Sequence, residues 1–340
     1  MQKIPVVVLS GFLGSGKTTL LLRLLQEAHK RGLTSAVLMN ELGKNDVDGH
    51  LIMNFMPELI VDKLLDGCIC CSKKSEVTGC IENQLLQNPD VIFIELTGVA
   101  NPEEIVDCLT EPSIRNKVYL KQIITLLDAE NLLDYNSIFS SDKQLVHTLR
   151  RQIEVADLLL INKMDLITPA IAAKIEKALR KLNAQSKLLF TTQSNIEMEG
   201  IFAGLEPLLK QAPIKQSPFH VLKPEPKPGH SHHTHEAHHS GEQQVEMSYS
   251  RVQTLTLPMA QTYATSSSRI EKFLKTWGSQ LLRAKGYLSV TNSKGVFLMQ
   301  FAAKRITWEP VDYMGEQYVV MIGIDLDTQK IHHEWAKISK

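Results

Sequence analysis

The sequence predicts an α/β protein: a doubly wound, mostly parallel sheet joined to a smaller C-terminal α+β domain. Three observations predict it. Short apolar runs rich in branched residues alternate with amphipathic stretches from residue 4 to about 212; a glycine-rich turn stands directly behind the first run; and a Pro- and His-rich tract separates this region from a second set of strand-like runs.

The first run is Val6-Val7-Val8-Leu9. Behind the glycine-rich turn, residues 18–30 set Leu21, Leu22, Leu25 and Ala28 at helical spacing. Further strands follow at Ala36-Val37-Leu38-Met39, Val91-Ile92-Phe93-Ile94, Ile123-Ile124-Thr125-Leu126-Leu127, Leu158-Leu159-Leu160-Ile161 and Leu188-Leu189-Phe190. Their near-continuous apolarity suits strands covered on both faces, as parallel strands are. Residues 170–182 repeat the helical pattern with Ile171, Ile175, Ala178, Leu179 and Leu182. From about 212 to 247 the sequence turns to alternating proline (Pro224, Pro226, Pro228) and histidine, which cannot bury enough apolar surface to offset the entropy of ordering. Beyond it, residues 252–257 read as a strand. Ser268 opens a helix with Glu271 three residues on, a capping box ahead of Ile270, Phe273, Leu274, Trp277 and Leu281. Strands are expected at 286–290, 296–301 and 318–324. The expected organisation is a nucleotide domain over 1–212, a flexible linker over 213–247 and an α+β domain over 248–340.

Composition excludes several classes. Lys+Arg and Asp+Glu both number 37, so no global positive field draws nucleic acid and no polybasic tail binds a membrane. No run reaches the roughly 20 apolar residues of a membrane span. The amino terminus enters a strand without a leader pattern, so a cytoplasmic chain is expected. Five cysteines, three of them in Cys68-Ile69-Cys70-Cys71, suit metal ligation or reactive thiols better than a disulfide framework.

Gly11-Phe12-Leu13-Gly14-Ser15-Gly16-Lys17-Thr18 matches G-x-x-x-x-G-K-[ST] at the strand-to-helix junction where a P-loop belongs, which makes the sheet that of a P-loop NTPase. In such a loop the backbone N–H groups from Gly14 to Thr19 face the phosphates at a helix N-terminus, Lys17 reaches the β- and γ-phosphates, and the Thr18 hydroxyl ligates Mg²⁺. Asn162-Lys163-Met164-Asp165 follows a strand directly, the placement of the guanine-reading tetrapeptide; the Asp165 carboxylate would accept from ring N1–H and the exocyclic amine, donors adenine lacks. The plainer alternative is an Asn and an Asp capping a turn. Glu95 ends a strand ahead of Leu96-Thr97-Gly98, where a Walker-B acid and a γ-phosphate-sensing glycine would sit; the alternative is an acid capping the turn. No glutamine stands out as a water-positioning residue, so slow intrinsic GTP hydrolysis is expected.

Cys68, Cys70 and Cys71 offer thiolates suited to Zn²⁺. In an extended chain Cys68 and Cys70 face one side and Cys71 the other, so two or three of them with an outside ligand make the expected site. Buried small hydrophobes are the alternative. Six of the twelve histidines fall between His230 and His239, a tract suited to weak binding of several ions or to simple solvation.

Taken in order, Gly11 to Thr18, Asn40-Glu41-Leu42-Gly43 with Asp48, Gly67-Cys68-Ile69-Cys70-Cys71, Glu95-Leu96-Thr97-Gly98 and Asn162 to Asp165 resemble the CobW-type metallochaperone GTPases, related to HypB and UreG. Arg283-Ala284-Lys285-Gly286-Tyr287 extends the resemblance to the carboxyl-terminal part. The resemblance implies a GTPase whose Cys-x-Cys-Cys motif holds metal between the nucleotide switches and passes it to a client protein on hydrolysis. It implies that Glu41 and Asp48 lie near Mg²⁺ or the metal, with Glu41 the candidate to join the thiolates. Leu42 stands where the family usually has Phe, and Lys44 where it often has an acid, an unfavourable charge beside a cation.

The reading expected from the sequence is a GTP-gated metallochaperone for zinc, with Co²⁺ or Ni²⁺ able to use the same donors. Its partners would be GTP, a transition metal and a metalloprotein client, and related GTPases often pair across their nucleotides, so a nucleotide-dependent homodimer fits as well. A zinc buffer or sensor with nucleotide as a structural ligand is the alternative. A small-molecule P-loop kinase is a third, which leaves the guanine tetrapeptide and the thiols unexplained.

Overall fold

The computed structural model describes residues 2–39, 60–63, 74–136, 143–207, 250–260, 264–278, 280–291, 293–302 and 305–339. The calls on Glu41, Asp48, Cys68, Cys70, Cys71, the His-rich tract and the 213–247 linker therefore lie outside the described residues.

Strand β1 (Ile4–Gly11) shows how the core forms: Val6 and Val8 point into one apolar cluster, Val7 and Leu9 into another on the opposite face, and all four are fully buried. That period-2 split in a wholly apolar strand is what a centre strand covered on both faces requires. Helix α1 (Lys17–Lys30) follows, then β2 (Ser35–Met39), β3 (Ile60–Lys63), α2 (Lys74–Leu85), β4 (Val91–Glu95), α3 (Pro102–Leu109) and β5 (Val118–Asp128). A short turn of helix α4 (Leu132–Tyr135), α5 (Lys143–Glu154), β6 (Leu158–Asn162), α6 (Pro169–Leu182), β7 (Lys187–Phe190) and α7 (Glu199–Phe202) complete this part.

Among the described residues the seven strands run parallel in the order β3-β2-β4-β1-β5-β6-β7. The order reverses at β1, so its carboxyl end opens the crevice where ligands bind in doubly wound sheets. Helix α1 covers one face with Leu20, Leu21, Leu24, Leu25 and Ala28. Leu22, expected in this stripe, lies at its half-buried margin, because the stripe is centred one position over. β3 was not anticipated: Ile60-Val61-Asp62-Lys63 is half charged and forms an edge.

The second sheet is antiparallel, in the order β11-β10-β9-β12-β8, from β8 (Val252–Pro258), β9 (Leu281–Ser289), β10 (Val296–Ala302), β11 (Arg305–Val311) and β12 (Tyr318–Ile324). One face is covered by α8 (Ser267–Thr276) and α9 (Thr328–Ala336), which bring Ile270, Phe273, Leu274, Ile331 and Trp335 to the core. Three expectations are corrected. The helix ends at Thr276, and Leu281 opens β9 instead of closing the helical stripe. The capping box does not form: Ser266 is the N-cap and makes no side-chain cap bond, while Glu271 accepts from Trp308 Nε1 at 3.2 Å, tying α8 to β11. β11 and α9 are additional elements. β11 reads polar because it is an edge strand that carries Pro310, where a missing N–H costs nothing.

The other face of this sheet packs on the first. Val252, Leu282, Tyr318, Val320 and Ile322 share a cluster with Ile105, Val106 and Leu109 of α3. Arg283 of β9 pairs with Glu104 at 2.9 Å and Asp107 at 3.3 Å, and Lys285 pairs with Glu111. No helix among the described residues is long and apolar enough to cross a membrane.

Candidate nucleotide site

The turn between β1 and α1 carries the P-loop residues. Gly16 has φ 102°, a conformation that disfavours any side chain, and a Cβ there would stand 2.4 Å from Asn162 Nδ2. The glycine is thus required both by the turn and by the loop that crosses it. Gly11, at the end of β1, and Gly14, at an exposed point of the loop, complete the wrap, with Ser15 buried and Thr19 exposed. Lys17, 7% exposed, donates to Gly11 O at 2.9 Å and Phe12 O at 3.0 Å. Its ammonium is held inside the loop that anionic phosphates would enter, and exchanging carbonyl for phosphate partners would strengthen its hydrogen bonds.

Glu95 ends β4, which is hydrogen-bonded beside β1 with Leu9 opposite Glu95. That register brings the acid to the first turn of α1, where the Thr18 hydroxyl donates to Glu95 Oε1 at 3.0 Å. Residues 77 apart in sequence thus meet as an oxygen-donor pair beside Lys17. A hydroxyl and a carboxylate are hard ligands of the kind Mg²⁺ takes, so the donor set fits that ion. Gly98 lies buried, and a Cβ there would come within 2.6 Å of Leu13 N, so the turn after β4 rests on the P-loop backbone.

Asn162, Lys163 and Asp165 leave the end of β6. Asn162, buried, donates through Nδ2 to Ser15 O at 2.9 Å and to Ser194 Oγ at 3.2 Å, and its Oδ1 accepts from Ser194 N at 2.9 Å. Ser194 Oγ in turn donates to Gly16 O at 3.2 Å. The tetrapeptide, the P-loop and the turn after β7 are therefore stitched together through one amide. Lys163, at φ 64°, places its ammonium 2.7 Å from Asp128 Oδ2 at the end of β5. Burial pushes the Asp128 carboxyl up, but hydrogen bonds from Lys163, Asn131 and the backbone of Glu130 outweigh it and hold it below the usual carboxylate range. Asp165 stands exposed on the 3₁₀ turn Met164–Leu166.

Lys17, Thr18, Glu95, Gly98 and Asn162 are thus brought together, with Lys163 and Asp165 at the adjoining rim. Sequence reasoning missed Ser194 and Asp128. Thr191-Thr192-Gln193-Ser194 carries no motif, and only the paired left-handed residues Gln193 and Ser194, both at φ 53°, mark it as a built turn. Among the described residues no group of three or more His, Cys, Asp or Glu side chains could hold a metal ion. The predicted transition-metal ligands Glu41, Asp48, Cys68, Cys70 and Cys71 fall outside those residues.

Residues 5–190, more than half of the sequence, match the family described as CobW/HypB/UreG, nucleotide-binding domain. The chain belongs to the CobW/HypB/UreG family. Residues 256–339 match the cobalamin synthesis protein cobW C-terminal domain, so the family's two parts fall on the two sheets. Among curated relatives, the "zinc-regulated GTPase metalloprotein activator 1" of Schizosaccharomyces pombe is 31% identical over 204 residues, 58% of this chain and 48% of the relative. The protein of the same name in Dictyostelium discoideum is 31% identical over 234 residues, 59% of this chain and 48% of the relative. The chain spans about half the length of these two. The "zinc chaperone YjiA" of Escherichia coli is 28% identical over 353 aligned positions that cover 100% of both chains.

Proposed function

We propose that this CobW-family chain binds and slowly hydrolyses Mg²⁺·GTP, and that the cycle controls a transition metal, zinc first, held at Cys68, Cys70 and Cys71 with Glu41 and delivered to a client metalloprotein. The observation that carries the nucleotide half is the Asn162 junction, which locks a guanine-type tetrapeptide onto a P-loop whose Thr18 already meets Glu95. The metal half is supported by family membership and by relatives whose names are zinc chaperone and zinc-regulated GTPase. The same reading takes 1–212 as the GTPase domain, 213–247 as a linker and 248–340 as the second domain.

The residues divide the work by position. Lys17 leaves the Gly11 and Phe12 carbonyls to pair with the phosphates, and the α1 N-terminus adds its dipole and N–H donors. Thr18 and Glu95 would hold Mg²⁺, which when bound would offset the charge of the phosphate oxygens. Asp165 accepts from the guanine edge, and the Lys163–Asp128 pair stiffens the wall beside it. Asp48 sits with Glu41 in the segment that would respond to the γ-phosphate.

Phosphate release tests the enzymatic half. Wild-type protein should turn over GTP many times and ATP hardly at all, and Lys17→Ala should lower kcat/KM by at least about 100-fold, since it removes a charge-assisted contact to the transferring group. Equal turnover of ATP, or an unimpaired Lys17→Ala variant, would remove this reading.

A further inference from the structure

Gln152 stands outside every motif and yet reaches the site. It lies on α5, is fully buried, and donates through Nε2 to Gly98 O at 3.2 Å and to Ala100 O at 2.9 Å. Both partners are carbonyl oxygens, so the amide nitrogen must face them; chemistry fixes the orientation. The backbone beneath is anchored too, because the hydroxyl of Thr125, fully buried in β5, donates to Gln152 O at 3.0 Å. The preceding residue, Arg151, pairs with Glu103 of α3 at 2.8 Å. α5 therefore grips the turn after β4 and the helix that follows it, while the P-loop supports the same turn from beneath through the close approach of Gly98 to Leu13 N.

The amide is kept at a cost. Gln152 Oε1 is buried without a hydrogen-bond partner among the described residues, a penalty a leucine of similar volume would avoid. Packing alone therefore does not account for a glutamine here; the two donated hydrogen bonds do. The two captured carbonyls fix the Gly98–Val99 and Ala100–Asn101 peptide planes.

We infer that Gln152 is a positioning residue for the γ-phosphate-sensing turn, holding Gly98 against the P-loop so that the turn distinguishes GTP from GDP. It acts through the turn and touches no nucleotide. The inference rests on the GTPase reading above. In the Gln152→Leu variant both donors are lost and volume is kept; in Gln152→Glu the shape is kept and an acceptor faces two acceptors.

The test is steady-state phosphate release together with affinities for GDP and a non-hydrolysable GTP analogue, on full-length protein whose folding is checked by its thermal melt. Both variants should lose at least about tenfold in kcat, because small misplacements in a site are costly, while GDP affinity stays within about twofold and the preference for the GTP analogue over GDP falls. If Gln152→Glu does not fold, Gln152→Leu decides. A folded Leu variant with kcat and nucleotide preference within about twofold of wild type would overturn the inference, as would a parallel loss of GDP affinity, which marks a merely structural residue. A wild-type protein that releases no phosphate from GTP fails at the earlier reading and takes this inference with it.

Discussion

Asp165 is the residue on which the proposed base choice turns. It is exposed on a short 3₁₀ turn, with its neighbour Asn162 fixed to Ser15 and Ser194, so the carboxylate has a rigid base and an open acceptor edge. Replacing it with Asn substitutes a donor for one acceptor oxygen. Asp165→Asn should lose GTP affinity by at least about 100-fold and gain affinity for xanthosine triphosphate, whose 2-oxo group accepts where guanine donates. Competition of the two nucleotides against a fluorescent GDP reads this directly, and GTP affinity within about twofold of wild type would exclude the role. At this scale the motif-bearing residues were legible: Gly11 to Thr18, Glu95 and Asn162 to Asp165 announce themselves by spacing next to apolar runs. Their partners were not. Asp128, Ser194 and Gln152 act through contacts 35, 32 and 54 residues away in sequence, and no local pattern encodes those.

At the scale of elements, near-continuous apolar runs marked the central strands of the first sheet because both their faces are covered, and they missed two edge strands whose runs are broken by charged or polar residues. β3 and β11 are edges, and β9 mixes Arg283 and Lys285 into its run because these pair with Glu104, Asp107 and Glu111. The capping box at Ser268 failed because the helix starts earlier, with Ser266 as its N-cap, so Ser268 lies inside the first turn, and Glu271 is engaged by Trp308 of β11.

A second element-level junction yields a pH dependence. Asp157, at the foot of β6, is 8% exposed and accepts from Ile123 N at 2.6 Å and from Arg251 N at 2.5 Å, where the chain enters β8. Burial outweighs these hydrogen bonds and pushes its carboxyl up to about 6. The folded state thus binds the proton more tightly than the unfolded chain, whose carboxyl titrates near ~4. The stabilisation is complete below that value and is lost as pH rises through about 6. The stability of wild type relative to Asp157→Asn should therefore fall between about pH 4 and pH 7, by on the order of 2 kcal/mol. Urea titrations of both proteins across that range would show it, and a difference that grew with pH would contradict it.

Over the whole molecule, α3 stands between the two halves. Its first turn follows Gly98 and Ala100, Arg151 holds Glu103 from one side, and Arg283 holds Glu104 and Asp107 from the other. A shift in the turn after β4 would therefore reach the second sheet through paired charges and through the shared cluster of Ile105, Val106, Val320 and Ile322. The sequence leads one to expect two folded regions flanking a Pro- and His-rich tract; it could not reveal that α3, after the turn that follows β4, carries the Glu104 and Asp107 partners of Arg283, because that pairing crosses about half the chain.

In the proposed cycle nucleotide state governs metal affinity. Zinc affinity of the full-length protein, measured by competition with a chromophoric chelator in the presence of a non-hydrolysable GTP analogue, GDP or no nucleotide, tests it most directly. The GTP-analogue and GDP values should differ by at least about fivefold, the lower end of ordinary coupling free energies, and Cys68→Ala/Cys70→Ala/Cys71→Ala protein should lose the difference. Equal zinc affinity in all three states would contradict it.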